Sequence, residues 1–183
     1  DTAEVFEGFR RVQVENHCED GGSSVDEIAG EIVHAAEEIG DVLCIVNLTA
    51  QARSLCEAVS ERMQISEHDI HIVHLSTKMC SAHRKAVLRI VREELDARRK
   101  YPEQRLICIS TQLIEAGVDV SFPMVYRALA GFSSIAQAAG RCNRHGEMER
   151  GIVRLFSFTN ENISRLVDIQ QGKKIALDVL YHA

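Results

Sequence analysis

Gln137, Arg141 and Arg144 are spaced four and then three residues apart, which at about 100° per residue gathers side chains on one face of a helix. Ile135, Ala138, Ala139 and Cys142 fall roughly on the opposite face, apolar enough to dock on a core. An amide and two guanidiniums would then point together, away from it. Fixed guanidiniums suit phosphate chemistry, because a phosphoryl group in flight spreads negative charge over several oxygens that paired N–H donors stabilise. Gly140 lets a backbone or ligand approach closely. An exposed helix with two ordinary surface arginines has the same spacing, so geometry alone leaves both readings open.

A second segment, Ser110-Thr111-Gln112-Leu113-Ile114-Glu115-Ala116-Gly117-Val118-Asp119, follows the apolar run Leu106 to Ile109 and carries hydroxyls, a flexible glycine and carboxylates. Hydroxyls and backbone amides can hold a nucleic-acid backbone, and a carboxylate can accept from a ribose hydroxyl. A plain turn between strands uses the same residue types.

The elements that must position these groups follow from periodicity. Residues 10 to 15 alternate like a half-exposed strand, and Ser24-Val25-Asp26-Glu27 reads as a capping box opening a helix. Ile28, Ile32, Ala35, Ala36 and Ile39 form its apolar stripe and Gly40 its stop. Val42 to Val46 reads as a strand covered on both faces, and Ala52, Leu55, Cys56 and Val59 mark the helix that packs back on it. Further strands are expected near residues 70 to 75, 106 to 109, 124 to 128 and 152 to 156. Helices are expected from about His83 to Lys100, from around Ser133 or Ser134, and across Asn160 to Ala183 with a break near Gly172.

Strands alternating with helices imply an α/β fold, a mostly parallel sheet with helices on both faces in three layers and right-handed crossovers. The 183 residues read as one domain, with a core over about residues 10 to 158 and a helical segment over 160 to 183. Ligands of such sheets bind outside the carboxyl ends of the strands. Asn47, Ser76, Thr77, Ser110 and Thr111 fall at three of those ends.

A formal charge of −6 argues against a protein that coats nucleic acid nonspecifically. A basic cluster runs nonetheless from Arg84 to Arg105, and its plainest reading is a solvated helix face. The six cysteines form no CxxC pair and read as reduced core residues. No signal peptide precedes them and no apolar run approaches the roughly 20 residues that span a bilayer, so a cytoplasmic, non-membrane protein is expected. The chain opens on Asp1, as a segment of a longer protein would. No GxxxxGK[ST] phosphate loop occurs, and no Asp-Glu pair follows a buried strand to hold magnesium. His68, His71 and His74 suggest a metal cluster, but a strand sends 71 and 74 to opposite faces, so no metal site is expected.

The two segments, in this order, resemble motifs five and six of superfamily-two helicases. More narrowly, STQLIEAGVD and QAAGRCNRHGE, with Asn47-Leu48-Thr49 and His74-Leu75-Ser76-Thr77 to His83-Arg84 upstream, resemble the CRISPR-associated helicase-nuclease of type I systems over about residues 41 to 156. Two departures stand out. Glu115 occupies a position where many RNA helicases carry arginine, and Ala138 follows Gln137 where an arginine is common.

The resemblance implies a RecA-like lobe, one half of an ATP-driven motor that moves along single-stranded DNA beside a nuclease domain and a CRISPR effector complex. Arg141 and Arg144 would then reach ATP phosphates across an interlobe cleft, and Gln137 would help place them or the hydrolytic water. Gly117 and Asp119 would sit beside the nucleotide and Thr111 would couple that region to DNA. Asn47, Thr49, Ser76, Thr77 and Arg84 would contact backbone phosphates. ATP and Mg2+ would be bound mainly by an N-terminal helicase lobe, so the chain alone should hydrolyse no ATP. A noncatalytic docking or DNA-binding module, and a lobe of a repair or restriction helicase, are the alternatives.

Overall fold

A computed structural model describes residues 11–18, 21–64, 69–97, 101, 103–115, 118–164 and 166–182. Six parallel strands form one sheet: β1 (Val12–His17), β2 (Val42–Ile45), β3 (Ile70–Leu75), β4 (Arg105–Ser110), β5 (Met124–Ala128) and β6 (Gly151–Phe156). Their spatial order is β1-β6-β5-β2-β4-β3. The middle strands are continuous apolar runs because helices cover both faces, and β2 and β5 are buried at every position.

Helices α1 (Val25–Glu38) and α2 (Thr49–Met63) pack on one face, and α3 (Ser81–Ala97), α4 (Phe132–Ala139) and α5 (Val167–His182) on the other. Alternation along the strands sorts the core into two layers. Val42, Cys44, Ile107, Ile109, Met124 and Tyr126 face α1 and α2, whereas Leu43, Ile45, Leu106, Cys108 and Val125 face the opposite way. Each fully buried Val, Leu or Ile contributes about 1.5–3 kcal/mol of transfer free energy, so these layers rather than the loops hold the sheet together.

Local signals place the elements. Ser24 caps α1 as expected, with Glu27 N donating to Ser24 Oγ at 3.1 Å and Ser24 N donating to Glu27 Oε2 at 2.7 Å. Ile28, Ile32, Ala35 and Ala36 are buried, whereas Ile39 lies past the helix and is partly exposed. Gly40 takes φ +121°, a conformation that only glycine adopts without strain.

Three expectations are corrected. Helix α5 runs unbroken through Gly172, and the glycine is used instead for a close backbone approach. A Cβ there would lie 2.7 Å from Gly131 Cα. Of the cysteines, Cys18, Cys44, Cys108 and Cys142 are core residues, but Cys56 is half-buried and Cys80 exposed; none is in a disulfide. Finally, α3 begins at Ser81, two residues ahead of the start expected near His83. The expected end of that helix at Lys100 lies outside the described residues.

Candidate functional site

Helix α4 ends sooner than the arginine spacing implies. Gly140 caps it, and the amides of Arg141 and Cys142 bond back to Ala138 O and Ala139 O at 2.9 and 3.0 Å. Cys142 then bridges to Phe122, and Asn143 takes φ +44°. Gln137, Arg141 and Arg144 therefore do not share a helix face. The cause is local: glycine costs about 1 kcal/mol in a helix interior, and the segment before β5 offers Cys142 and Asn143 a ladder instead.

The two arginines converge all the same, through that turn. Arg144 Nε lies 3.0 Å from Asp119 Oδ1, and Arg144 N donates to Ser121 Oγ at 2.9 Å. Arg141 is almost fully buried; its Nε donates to Ile114 O at 3.0 Å and its Nη2 to Glu115 O at 2.7 Å. Burial chiefly, then the nearby charge of Arg144, lower the pKa of Arg141, with Asp119 and Glu115 opposing. Asn143 clamps the turn, its Nδ2 donating to Met148 O at 2.8 Å and its Oδ1 accepting from Met148 N at 3.1 Å. Gly151 leaves room for it, since a Cβ there would sit 2.8 Å from Asn143 Cβ.

The turn abuts the residues that lead into β5, so Arg144 and Asp119 stand at the amino end of that strand. A cleft of about 740 Å³ opens there, lined in part by Arg92, Arg105, Asp41, Asp96, Asp119 and Glu147. Its mixed charges do not select an anion. Gln137 is exposed on α4, apart from the hydrogen bonds of the turn. Gly117 lies outside the described residues.

The polar residues after β2, β3 and β4 line the opposite, carboxyl edge. Thr111 is buried, its amide donates to Leu75 O at 3.1 Å, and its Oγ1 has no partner among the described residues. Ser76 is buried and accepts from Lys78 N at 3.2 Å, whereas Thr77 is exposed. Thr49 opens α2 half-buried. Arg84 lies in the first turn of α3 and donates to Met79 O at 3.3 Å.

Asn47 is spent within the fold. Its Nδ2 donates to Leu129 O and Glu161 Oε1 at 3.0 and 2.9 Å, and its Oδ1 accepts from Arg127 at 2.9 Å. The side chain has no donor left over for a phosphate. Arg127, which lies outside both motif segments, is fully buried. Its Nε lies 2.7 Å from Glu115 Oε1 but is poorly aligned for a hydrogen bond, so charge holds the contact. It also donates to Ala128 O. Burial pushes the Glu115 carboxyl up, while Arg127 and Arg141 oppose that shift. The signal was present in the sequence as one guanidinium inside the apolar run MVYRA, a charge that must be paired when buried.

His71 faces Glu94 of α3, with Nδ1 3.3 Å from Oε1, and His68 lies outside the described residues. Among the described residues no three His, Cys, Asp or Glu side chains form a metal-binding group. None of the described helices is long and apolar enough to cross a membrane.

A family model described as CRISPR-associated nuclease/helicase Cas3, C-terminal, matches residues 38–147, which is more than half of the chain. The chain belongs to this family. Its Cas3-type sequence is 33% identical over 130 residues to the CRISPR-associated nuclease/helicase Cas3 of Haloferax volcanii, covering 70% of this chain and 13% of that relative. The Cas3-type fold matches T. fusca Cas3 solved with AMPPNP at a TM-score of 0.68 and 17% identity, over 92% of this chain and 21% of that one. It also matches the DUF1998 helicase MrfA bound to DNA and AMPPNP at a TM-score of 0.54 and 17% identity, over 85% and 21%. These structures share the chain's three-layer α/β, RecA-like fold, and the family match makes the chain a Cas3 C-terminal helicase lobe.

Proposed function

We propose that residues 1–183 form the second motor lobe of an ATP-dependent helicase that acts on single-stranded DNA in CRISPR antiviral defence. The observation that carries this reading is the convergence of Arg141 and Arg144 beside Asp119, on a turn fixed by Asn143, within a Cas3-type lobe. Arg144 supplies the exposed charge for ATP phosphates and Arg141 the braced one. Asp119, with Gly117, takes the ribose side of the nucleotide, and Gln137 approaches from the exposed face of α4.

Two features support the division of labour between lobes. The chain has two arginines of a type suited to phosphate but no GxxxxGK[ST] phosphate loop, and its sequence has no Asp-Glu pair after a buried strand to hold magnesium. An N-terminal lobe would hold most of the ATP and the Mg2+, which neutralises phosphate charge once bound. Catalysis would then await closure of the two lobes. The nucleic-acid strand would run along the carboxyl edge, past Thr111, Ser76, Thr77, Thr49 and Arg84. A nuclease domain and a CRISPR surveillance complex are the remaining partners; a structure of such a complex contains a chain of the same fold at a TM-score of 0.57.

The test is DNA-stimulated ATP hydrolysis by the complete protein with and without Arg144→Ala, beside the isolated chain. The expected result is a loss on the order of 10³-fold in turnover for the variant, with an inert isolated chain. Full activity in the variant would replace this reading with a noncatalytic docking module.

A further inference from the structure

Buried side chains join the two edges of the sheet. Asn47, after β2 at the carboxyl edge, accepts from Arg127 Nη1 at 2.9 Å. Arg127 lies against the Glu115 carboxylate at 2.7 Å, and the backbone carbonyl of Glu115 accepts from Arg141 Nη2 at 2.7 Å. Arg141 belongs to the turn at the amino end. Arg127 is 0% exposed and the Glu115 carboxylate is turned inward onto it, so the pair faces itself rather than nucleotide or DNA.

Stability alone does not account for the pair. Replacing a buried ion pair by apolar residues of similar volume is often neutral or stabilising, because removing two charges from water costs about what their attraction returns. What the pair does accomplish is geometric. Pinning the Glu115 carboxylate to Arg127 fixes the peptide whose carbonyl holds Arg141, and Asn47 fixes Arg127 in turn.

We propose that Glu115 and Arg127 are positioning residues that set the guanidinium of Arg141 for a phosphate, and that Asn47 ties this setting to the carboxyl edge of the sheet. The inference rests on the reading of Arg141 given above. It assigns a role to Glu115 and Arg127 that acts through Arg141 and through no contact of their own.

The experiment is steady-state, DNA-stimulated ATP hydrolysis by the complete protein, followed by a sensitive phosphate-release assay. Glu115→Gln, Arg127→Met and the two together are made in the parent and in an Arg141→Ala background, with thermal melts alongside. In the parent the paired replacement is expected to lower kcat on the order of tenfold at constant KM for ATP, as small misplacements near a reacting group do. In the Arg141→Ala background it should cause no further loss, and Arg127→Lys should recover part of the parent's turnover.

Unchanged kcat in the paired variant overturns the inference, and so does an equal loss in both backgrounds, which would mark a merely structural role. If Arg141→Ala itself leaves turnover intact, the underlying reading of Arg141 fails, a pattern distinct from either. Should the paired variant melt early, Glu115→Gln and Arg127→Lys decide the matter through the same ratio of backgrounds.

Discussion

Arg144 Nε and Asp119 Oδ1 lie 3.0 Å apart with both side chains open to solvent. Exposed pairs of this kind contribute about 0–1 kcal/mol, so an incoming phosphate can draw the guanidinium away at small cost. Asp119→Asn is therefore expected to shift unfolding in urea by less than about 1 kcal/mol, yet to raise KM for ATP in the complete protein. A loss of several times that stability would show that Asp119 holds the turn rather than the ligand.

Arg141 and Arg144 should separate sharply in stability assays. Arg141→Ala strips the donors from Ile114 O and Glu115 O in a buried setting, and each buried acceptor left unpaired costs about 1–3 kcal/mol. Arg144→Ala breaks only a solvent-exposed pair. Chemical denaturation of the two variants side by side should place Arg141→Ala at least about 1 kcal/mol below Arg144→Ala. Equal midpoints would contradict the bracing described for Arg141, and the contrast makes Arg144→Ala the cleaner probe of chemistry.

Much of this arrangement was legible in the residue order because local rules and tertiary needs agreed. The Ser24 to Glu27 capping box, the stripe from Ile28 to Ala36 and the apolar runs of β2 and β4 each admit one geometry, and the fold uses it. Motif spacing identified the arginines but not how they meet, because periodicity assumes that the helix continues. Gly140 was the warning, a residue that ends helices more readily than it extends them. Gly172 misled in the opposite direction, since a glycine admitted for close packing looks the same in sequence as one that breaks a helix. The side-chain partners of Arg127 are distant in the chain, at positions 47 and 115, and no local pattern could have joined them.

Gly172→Ala tests that close approach. In an exposed helix the change would stabilise by about 1 kcal/mol. Here the new Cβ would meet Gly131 Cα at 2.7 Å and Gly131 N at 2.9 Å, both backbone atoms that cannot swing aside, and overpacking of this kind costs about 1–3 kcal/mol. The clash outweighs the helix propensity, so the variant should unfold at lower urea. Gly131→Ala, whose Cβ would lie 3.4 Å from Gly172 Cα, should be the milder of the two. A stabilised Gly172→Ala would mean that α5 can shift outward freely.

His74 on β3 should make stability depend on pH. Its Nε2 is buried without a partner among the described residues, and burial lowers its pKa from the ordinary value of 6.5. As pH falls through that value the unfolded chain takes up a proton that the folded chain still refuses, so this residue's contribution to stability is complete above about pH 7 and is lost as pH drops toward the lowered folded value. Within the window the loss is at most about 1.4 kcal/mol per pH unit. His74→Leu removes the proton-binding group and keeps an apolar side chain on the strand. Urea midpoints measured across the range should show the variant gaining on the parent as the solution is acidified, with a constant difference above neutrality. A difference that stays flat throughout would mean that the folded chain accepts the proton as readily as the unfolded one.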